Sequence, residues 1–320
     1  MQTLISGSIA FDYLMSFPGR FRESLVAEKL DRISVSFLVD TLNLRRGGCA
    51  PNVAHTLALL GEGPLLVGAA GRDFDDYGRD LARIGVDLAG VLRREEVVTA
   101  SFFANTDQEG NQICSFFTGA MQYAREISLT PLIRGREDLV LVSPNDPQAM
   151  SRHAREAREA GCRLLYDPSQ QIARLEGKTL LEDARGAWLL LFNEYEEEMF
   201  LQKTGLARSD LAGVAENVIV TLGERGALIR TPEGVVQVPA AAPDRILDPT
   251  GVGDAFRGGL LKGIIDGLPW ETAGRMGSLA AAYVLETDGP QNHRYTPAQF
   301  LERYRETFGA AGAPEGLATP

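Results

Sequence analysis

From Asp138 onward, short apolar runs alternate with longer segments in which apolar residues recur every three or four positions. Leu139-Val-Leu-Val142, Arg163-Leu-Leu-Tyr166, Trp188-Leu-Leu-Leu-Phe192 and Val218-Ile-Val-Thr-Leu222 are of strand length and, apart from Arg163 and Thr221, apolar at consecutive positions, the pattern of strands covered on both faces. Pro147 to Ala160 has helical spacing, and this strand-then-helix rhythm specifies a parallel sheet with helices on either side. Leu4-Ile5 and Val67-Gly-Ala-Ala70 read as two earlier strands, and Ala227-Leu-Ile-Arg230 and Val235-Val-Gln-Val238 as two later ones. A helix opened by Asp254 carries Ala255, Phe256, Leu260, Leu261, Ile264 and Ile265 and stops at Gly267-Leu-Pro269, before a second from Trp270 to Leu285. Two stretches break the rhythm. Ile33, Val35, Phe37 and Val39 alternate within Val26 to Leu44 as in a half-buried strand, and Thr99 to Asn105 with Gln112 to Thr118 form a hairpin about Asp107-Gln-Glu-Gly110. The expectation is one doubly wound, mostly parallel α/β domain over 1–320, with a small β lid from about 13–44 and 97–118 and a frayed tail at 309–320.

Candidate chemistry gathers where loops feed helices. In Asp248-Pro-Thr-Gly-Val-Gly-Asp254, Gly251 and Gly253 permit a tight turn whose bare amides approach an anion, and Asp254 stands at the positive end of a helix. A lone Asp there would be read as an N-cap. The glycine pair and Thr250 favour a phosphate cradle of Gly251, Val252 and Gly253 with Asp254 as a general base, since a cap needs no amide-rich turn before it. A second turn, Arg45-Arg-Gly-Gly-Cys-Ala-Pro-Asn52, offers Gly47, Gly48 and the Asn52 amide at a helix start; an ordinary glycine turn is the plain alternative. Asp12 follows the first strand, at a ligand-binding position or a surface turn. Neighbouring residues of a strand face opposite ways, so one of Phe102/Phe103 and one of Phe116/Phe117 can line a pocket; Phe102 and Phe116 are taken as the candidates for a wall against a flat base.

Composition narrows the classes. A formal net charge of −11 argues against nucleic-acid and membrane-surface binding. The start has no basic, apolar leader, and no stretch is long enough to span a membrane. Cys49, Cys114 and Cys162 are three and scattered, as in a reducing cytoplasm, and with His55, His153 and His293 they form no zinc spacing.

The Asp248–Asp254 run resembles the second signature of the ribokinase/PfkB family of carbohydrate and nucleoside kinases, with Val252 where a small residue is usual. Gly47, Gly48, Asn52 and Ala54 resemble its first signature, and the motifs occur in family order from Leu4 to about Asn292. The resemblance implies a ribokinase-like fold and ATP-dependent phosphorylation of a primary hydroxyl. Asp254 would be the base, and Asp12, Gly47, Gly48 and Asn52 would hold the sugar. Asn193 and Glu196 match the motif that holds Mg²⁺ through water; Asn193, Thr221, Gly223 and Gly226 would lie on the ATP side. Asn292, in Gly289-Pro-Gln-Asn292, would close over adenine or a monovalent cation such as K⁺. There is no GxxxxGK[ST] run, so the phosphate site is not a P-loop. Adenosine-kinase-like members are the most similar, implying adenosine as substrate. A ribose or fructose-like sugar kinase and a non-catalytic nucleoside-binding protein are the alternatives. Monomer and homodimer both stay open.

Overall fold

The consecutive apolar runs are buried because each forms part of the interior of a nine-stranded sheet. The computed structural model describes residues 1–25, 32 and 34–318. The chain begins with β1 (Thr3–Ser6), β2 (Ala10–Ser16), the short α1 (Phe21–Ser24), β3 (Thr41–Gly47), α2 (Cys49–Leu59) and β4 (Leu65–Gly71). There follow α3 (Asp75–Arg83), β5 (Asp87–Arg94), β6 (Ala100–Thr106) and β7 (Gln112–Phe117). The rhythm from Asp138 gives β8 (Leu139–Val142), α4 (Pro147–Glu159), β9 (Arg163–Tyr166), α5 (Gly177–Ala184), β10 (Ala187–Asn193), α6 (Glu194–Thr204) and β11 (Ala215–Thr221). The chain then continues through β12 (Ala227–Thr231), β13 (Gly234–Val238), α7 (Val252–Ile265), α8 (Trp270–Leu285) and α9 (Pro297–Phe308).

The large sheet has the order β13-β12-β11-β10-β9-β8-β1-β4-β5, parallel except for β12 and β13. Along its central strands the side chains split by parity. Leu4, Val140, Val142, Leu164, Leu190, Val218 and Val220 join one apolar cluster, whereas Ile5, Leu139, Leu141, Leu165, Leu189 and Ile219 join another on the opposite face. This is the doubly wound α/β architecture expected, and β1, flanked by β4 and β8, marks the point where strand order reverses. Helices α7 and α8 approach closely at glycines: a Cβ on Gly259 would meet the Met276 carbonyl at 2.4 Å, and one on Gly277 the Phe256 carbonyl at 2.7 Å. No helix among the described residues is long and apolar enough to cross a membrane.

The lid is a four-stranded sheet, β3-β2-β6-β7. Its hairpin β6-β7 lies where expected, but its other half does not. Residues 34–39, which include Val35, Phe37 and Val39, form no strand, and Val26 and Ile33 lie outside the described residues. Phe37 instead packs edge-on against Phe17 and Phe21 at ring-centroid distances of 5.0 and 4.8 Å. The strands are β2 and β3, so Asp12 lies within a strand and Arg45-Arg46-Gly47 is strand, not turn. Three residues join β1 to this lid, and they are pinned: Gly7 N–H donates to the Val67 carbonyl at 3.1 Å, Ser8 N–H to the Pro144 carbonyl at 2.8 Å, and Ile9 is buried. Of the tail at 309–320, the described residues pack back through Leu317, which is buried in a cluster with Tyr304 and Phe300, and the Thr272 hydroxyl donates to the Gly312 carbonyl at 3.1 Å; Thr319 and Pro320 lie outside the described residues.

Candidate active site

Asp254 is the third residue of α7, not its cap; Gly251 occupies the N-cap in the left-handed region, at φ 78°. An L side chain resists that conformation, and a Cβ there would also come within 2.4 Å of the Pro290 Cβ. The first-turn amides of α7 have no partner within the helix. Val252 N–H reaches the Pro249 carbonyl only at 3.4 Å, and the Val252 side chain packs against the cluster of Ala255, Met276 and Leu279, so its bulk points out of the glycine turn. Behind the turn, Arg257 lies so near Gly253 that a Cβ on that glycine would sit 2.8 Å from its Nη1. Arg257 is itself held by buried Asp167 at the end of β9, with Nη2 donating to Oδ1 at 2.7 Å. A helix terminus, free amides and a guanidinium thus converge where an anionic group would sit.

Asn52 reaches Asp254 from α2. Its Nδ2 donates to Asp254 Oδ2 at 2.8 Å, and its Oδ1 accepts from Gln291 Nε2 at 2.7 Å. The Tyr77 hydroxyl donates to the Gly47 carbonyl at 2.9 Å, and Gln291 lies within 2.5 Å of that hydroxyl. Gly48, at φ 95°, caps α2; a Cβ there would meet the Ser8 carbonyl at 2.4 Å, so glycine lets the helix start against the β1-to-β2 link. Asp12 faces Gly47, where a Cβ would lie 2.5 Å from its Oδ2. Asp12, Gly48, Asn52, Thr250, Gly251 and Asp254 line one cleft of about 400 Å³, within the range of small-molecule sites.

Both carboxyls are perturbed. Burial pushes Asp254 up to about 7, with Asp167 and Asp12 adding to the rise while Arg257 and the Asn52 hydrogen bond oppose it. Burial likewise lifts Asp12 to about 6, against the pull of Arg45 and with a further push from Asp248. A carboxylate that binds its proton near neutrality is a stronger acceptor than an ordinary one.

The lid supplies the rest of the cleft. Phe102 and Phe116 are direct cross-strand partners and both line it, whereas Phe103 turns outward and stacks on Tyr13 at 4.7 Å. Gln170, Gln171 and Arg174 line the same cleft. These follow Ser169, which at φ 40° is the one non-glycine residue with positive φ among the described residues, a strained turn that aims the next residues at the cleft. Nothing in the local sequence marks them. The Arg257–Asp167 pair did leave a trace, an arginine three residues after Asp254 among the apolar residues and glycines from Ala255 to Leu261.

Asn193 and Thr221 end adjacent strands as register partners, with Gly223 at φ 60° beyond them. Gly226 has an architectural reason: a Cβ would lie 1.9 Å from the Val238 carbonyl. Asn193 and Glu196 form a capping box, Asn193 Oδ1 accepting from Glu196 N–H at 2.8 Å and Glu196 Oε2 from Asn193 N–H at 2.7 Å, while Ser169 Oγ donates to Oε1 at 3.0 Å. All these donors are neutral, and a carboxylate has lone pairs to spare. This all-oxygen pair suits Mg²⁺ held through its waters, and the described residues contain no cluster that would grip a bare ion. Asn292 is not brought to the cleft. It lines a second cavity of about 310 Å³ with Arg45, Arg46, His55 and Arg294.

Comparison with known proteins gives a consistent result. The family model described as pfkB family carbohydrate kinase matches residues 21–297. The solved Burkholderia thailandensis nucleoside kinase in complex with inosine matches at a TM-score of 0.86 and 37% identity, covering 96% of this chain and 98% of that one. Its ADP-inosine complex matches at a TM-score of 0.84, again at 37% identity, with 96% of each chain covered. The Methanothermobacter thermautotrophicus nucleoside kinase is 27% identical over 310 residues, 96% of each sequence.

Proposed function

We propose, from the premise that the chain belongs to the pfkB family of carbohydrate kinases and is a phosphotransferase with an alcohol group as acceptor, that it transfers the γ-phosphoryl group of ATP to the 5′-hydroxyl of a nucleoside. The observation that carries this reading is the single cleft lined jointly by Asp254, at a helix tip, by Asp12 and Asn52, and by Phe102 and Phe116. The 37%-identical Burkholderia structures hold inosine and ADP, which supports both the nucleoside and the nucleotide assignments.

In this mechanism Asp12 and Asn52 hold the ribose so that its primary hydroxyl points at Asp254. Asp254 takes the hydroxyl proton as the oxygen attacks the γ-phosphorus, and the bond to the bridging oxygen of ADP breaks in line. The amides of Gly251, Val252 and Gly253, the α7 terminus and Arg257 meet the charge that accumulates on the moving phosphoryl group. Mg²⁺, when held through water by Asn193 and Glu196, would neutralise the phosphates. Lid residues closing over the bound substrate would exclude water, which would otherwise compete as acceptor.

Adenosine is the nucleoside named by the sequence resemblance. An aromatic wall recognises any flat base, so adenosine, inosine and guanosine belong in one assay with ribose and fructose, each with Mg-ATP and detection of the monophosphate. Turnover of a nucleoside, and of adenosine in particular, is expected; turnover of ribose or fructose alone overturns the proposal in favour of a sugar kinase. Nucleoside binding without any turnover would point to a non-catalytic binder. The wall has its own test. Phe102→Ala should raise the nucleoside KM about 10-fold, from a stacking loss of about 1–3 kcal/mol, and leave the ATP KM unchanged; equal changes in both would remove Phe102 from the base site.

A further inference from the structure

The residues beside the Gly289–Asn292 loop do not suit a monovalent cation, because an arginine already fills that role. Asp248 and Asp288 approach this loop, and both are paired with Arg45: Nη1 donates to Asp248 and Nη2 to Asp288. Asp248 is 8% exposed and is bonded on every side. Its Oδ1 accepts Thr250 N–H at 2.8 Å, and its Oδ2 accepts Gly289 N–H at 3.1 Å besides the guanidinium. One carboxylate therefore fixes the turn before Gly251 and the loop that carries Pro290, the residue packed against Gly251. The charge that keeps this carboxylate in place comes from the lid, since Arg45 lies on β3 directly across from Asp12. A free cation entering here would meet a guanidinium of the same sign.

We propose that Arg45 is a positioning residue that serves as a built-in cation, tying the sugar-binding strand of the lid to the phosphate-side turn and making phosphoryl transfer independent of added monovalent ions. Its kinetic consequences rest on the kinase reading given above; the ion site itself does not. Asp288 is largely exposed, so its pairing contributes little to the tie. The pair with Asp248, both side chains mostly covered, is the part that matters.

Chemical rescue tests this. Thermal unfolding and nucleoside kinase rates are measured for the wild type, Arg45→Ala and Arg45→Lys, in N-methylglucamine buffer and after adding millimolar guanidinium or potassium chloride. The wild type should respond to neither ion. Arg45→Ala should have a lower Tm and a kcat reduced about 10-fold or more, as expected for a misplaced reacting group, and guanidinium should recover part of both. Potassium should recover part as well, by occupying the space between the two carboxylates. Arg45→Lys should keep most of the Tm and stay indifferent to both ions. A wild-type rate that requires potassium, or an Arg45→Ala variant that neither ion stabilises, overturns the proposal. A wild type with no turnover on any acceptor, combined with an Arg45→Ala Tm that rises with guanidinium, would sink the kinase reading and leave the built-in cation standing.

Discussion

Asp254→Asn should lower kcat by about 10²–10⁴-fold, the usual range for a positioned proton acceptor, with little change in nucleoside affinity. Asparagine has the same shape and can still accept from Asn52 Nδ2, so the loss would be one of basicity, not of packing. The pH profile separates these. In the wild type, kcat/KM should fall as pH drops through about 7, because burial holds the Asp254 proton to that point. Asp12, lifted to about 6, adds a loss in the same direction at lower pH. The two carboxyls influence each other, so the acid limb belongs to the pair. In Asp254→Asn the component near 7 should be missing. Retention of the wild-type rate would mean that another group is the base.

The same substitution should also stabilise the fold. A carboxyl whose folded pKa is raised from 3.8 to about 7 is held ionised at a cost that is full above about pH 7 and fades as pH falls from there toward 3.8. Asp254→Asn should therefore raise Tm at about pH 8, with the advantage shrinking as the buffer becomes acidic. On the proposed role of Asp254, activity at this position would be obtained at the expense of stability.

Asp167→Ala is the substitution expected to damage the fold most, by about 3–5 kcal/mol, because it strands the buried guanidinium of Arg257. Asp167 is 1% exposed and Arg257 8%, so water cannot take the place of the lost partner. Chemical denaturation should show the loss. The double variant Asp167→Leu/Arg257→Met tests the cause, since replacing both charges removes the stranding: it should recover much of the stability but not the activity. If the double variant is as unstable as Asp167→Ala, volume and not charge is responsible. A kinetic sign follows too. Freed from Asp167, Arg257 would hold Asp254 ionised more strongly, moving the acid limb of the single variant downward.

The large sheet was legible because its strands carry their own signal: Leu139 to Val142 or Trp188 to Phe192 is apolar at every position and has nowhere to go but the middle of a fold. The near half of the lid carried none. Thr41 to Gly47 is a strand through its pairing with Ala10 to Ser16, and its Leu42 and Leu44 stay exposed, so a search for buried faces passes over it. Phe37 gave the opposite error, since an alternating apolar residue can be satisfied by two phenylalanines without any sheet. The site divides in the same way. Asp254, Gly251 and Asn52 stand at helix starts, where local sequence restricts the backbone. Gln291, bonded to Asn52 at a separation of 239 residues, and Asp167, 90 residues from Arg257, are brought in only by the completed topology.

The short link from β1 to the lid has a mechanical consequence. With Gly7 and Ser8 bonded to the neighbouring strand and loop and Ile9 locked in the core, the root of the lid is anchored to the body of the fold. The rim two strands away from that anchor is the exposed edge strand β7 with its hairpin tip. On the function proposed above, product would leave past that rim, and stiffening the tip would slow departure while leaving the chemical step untouched.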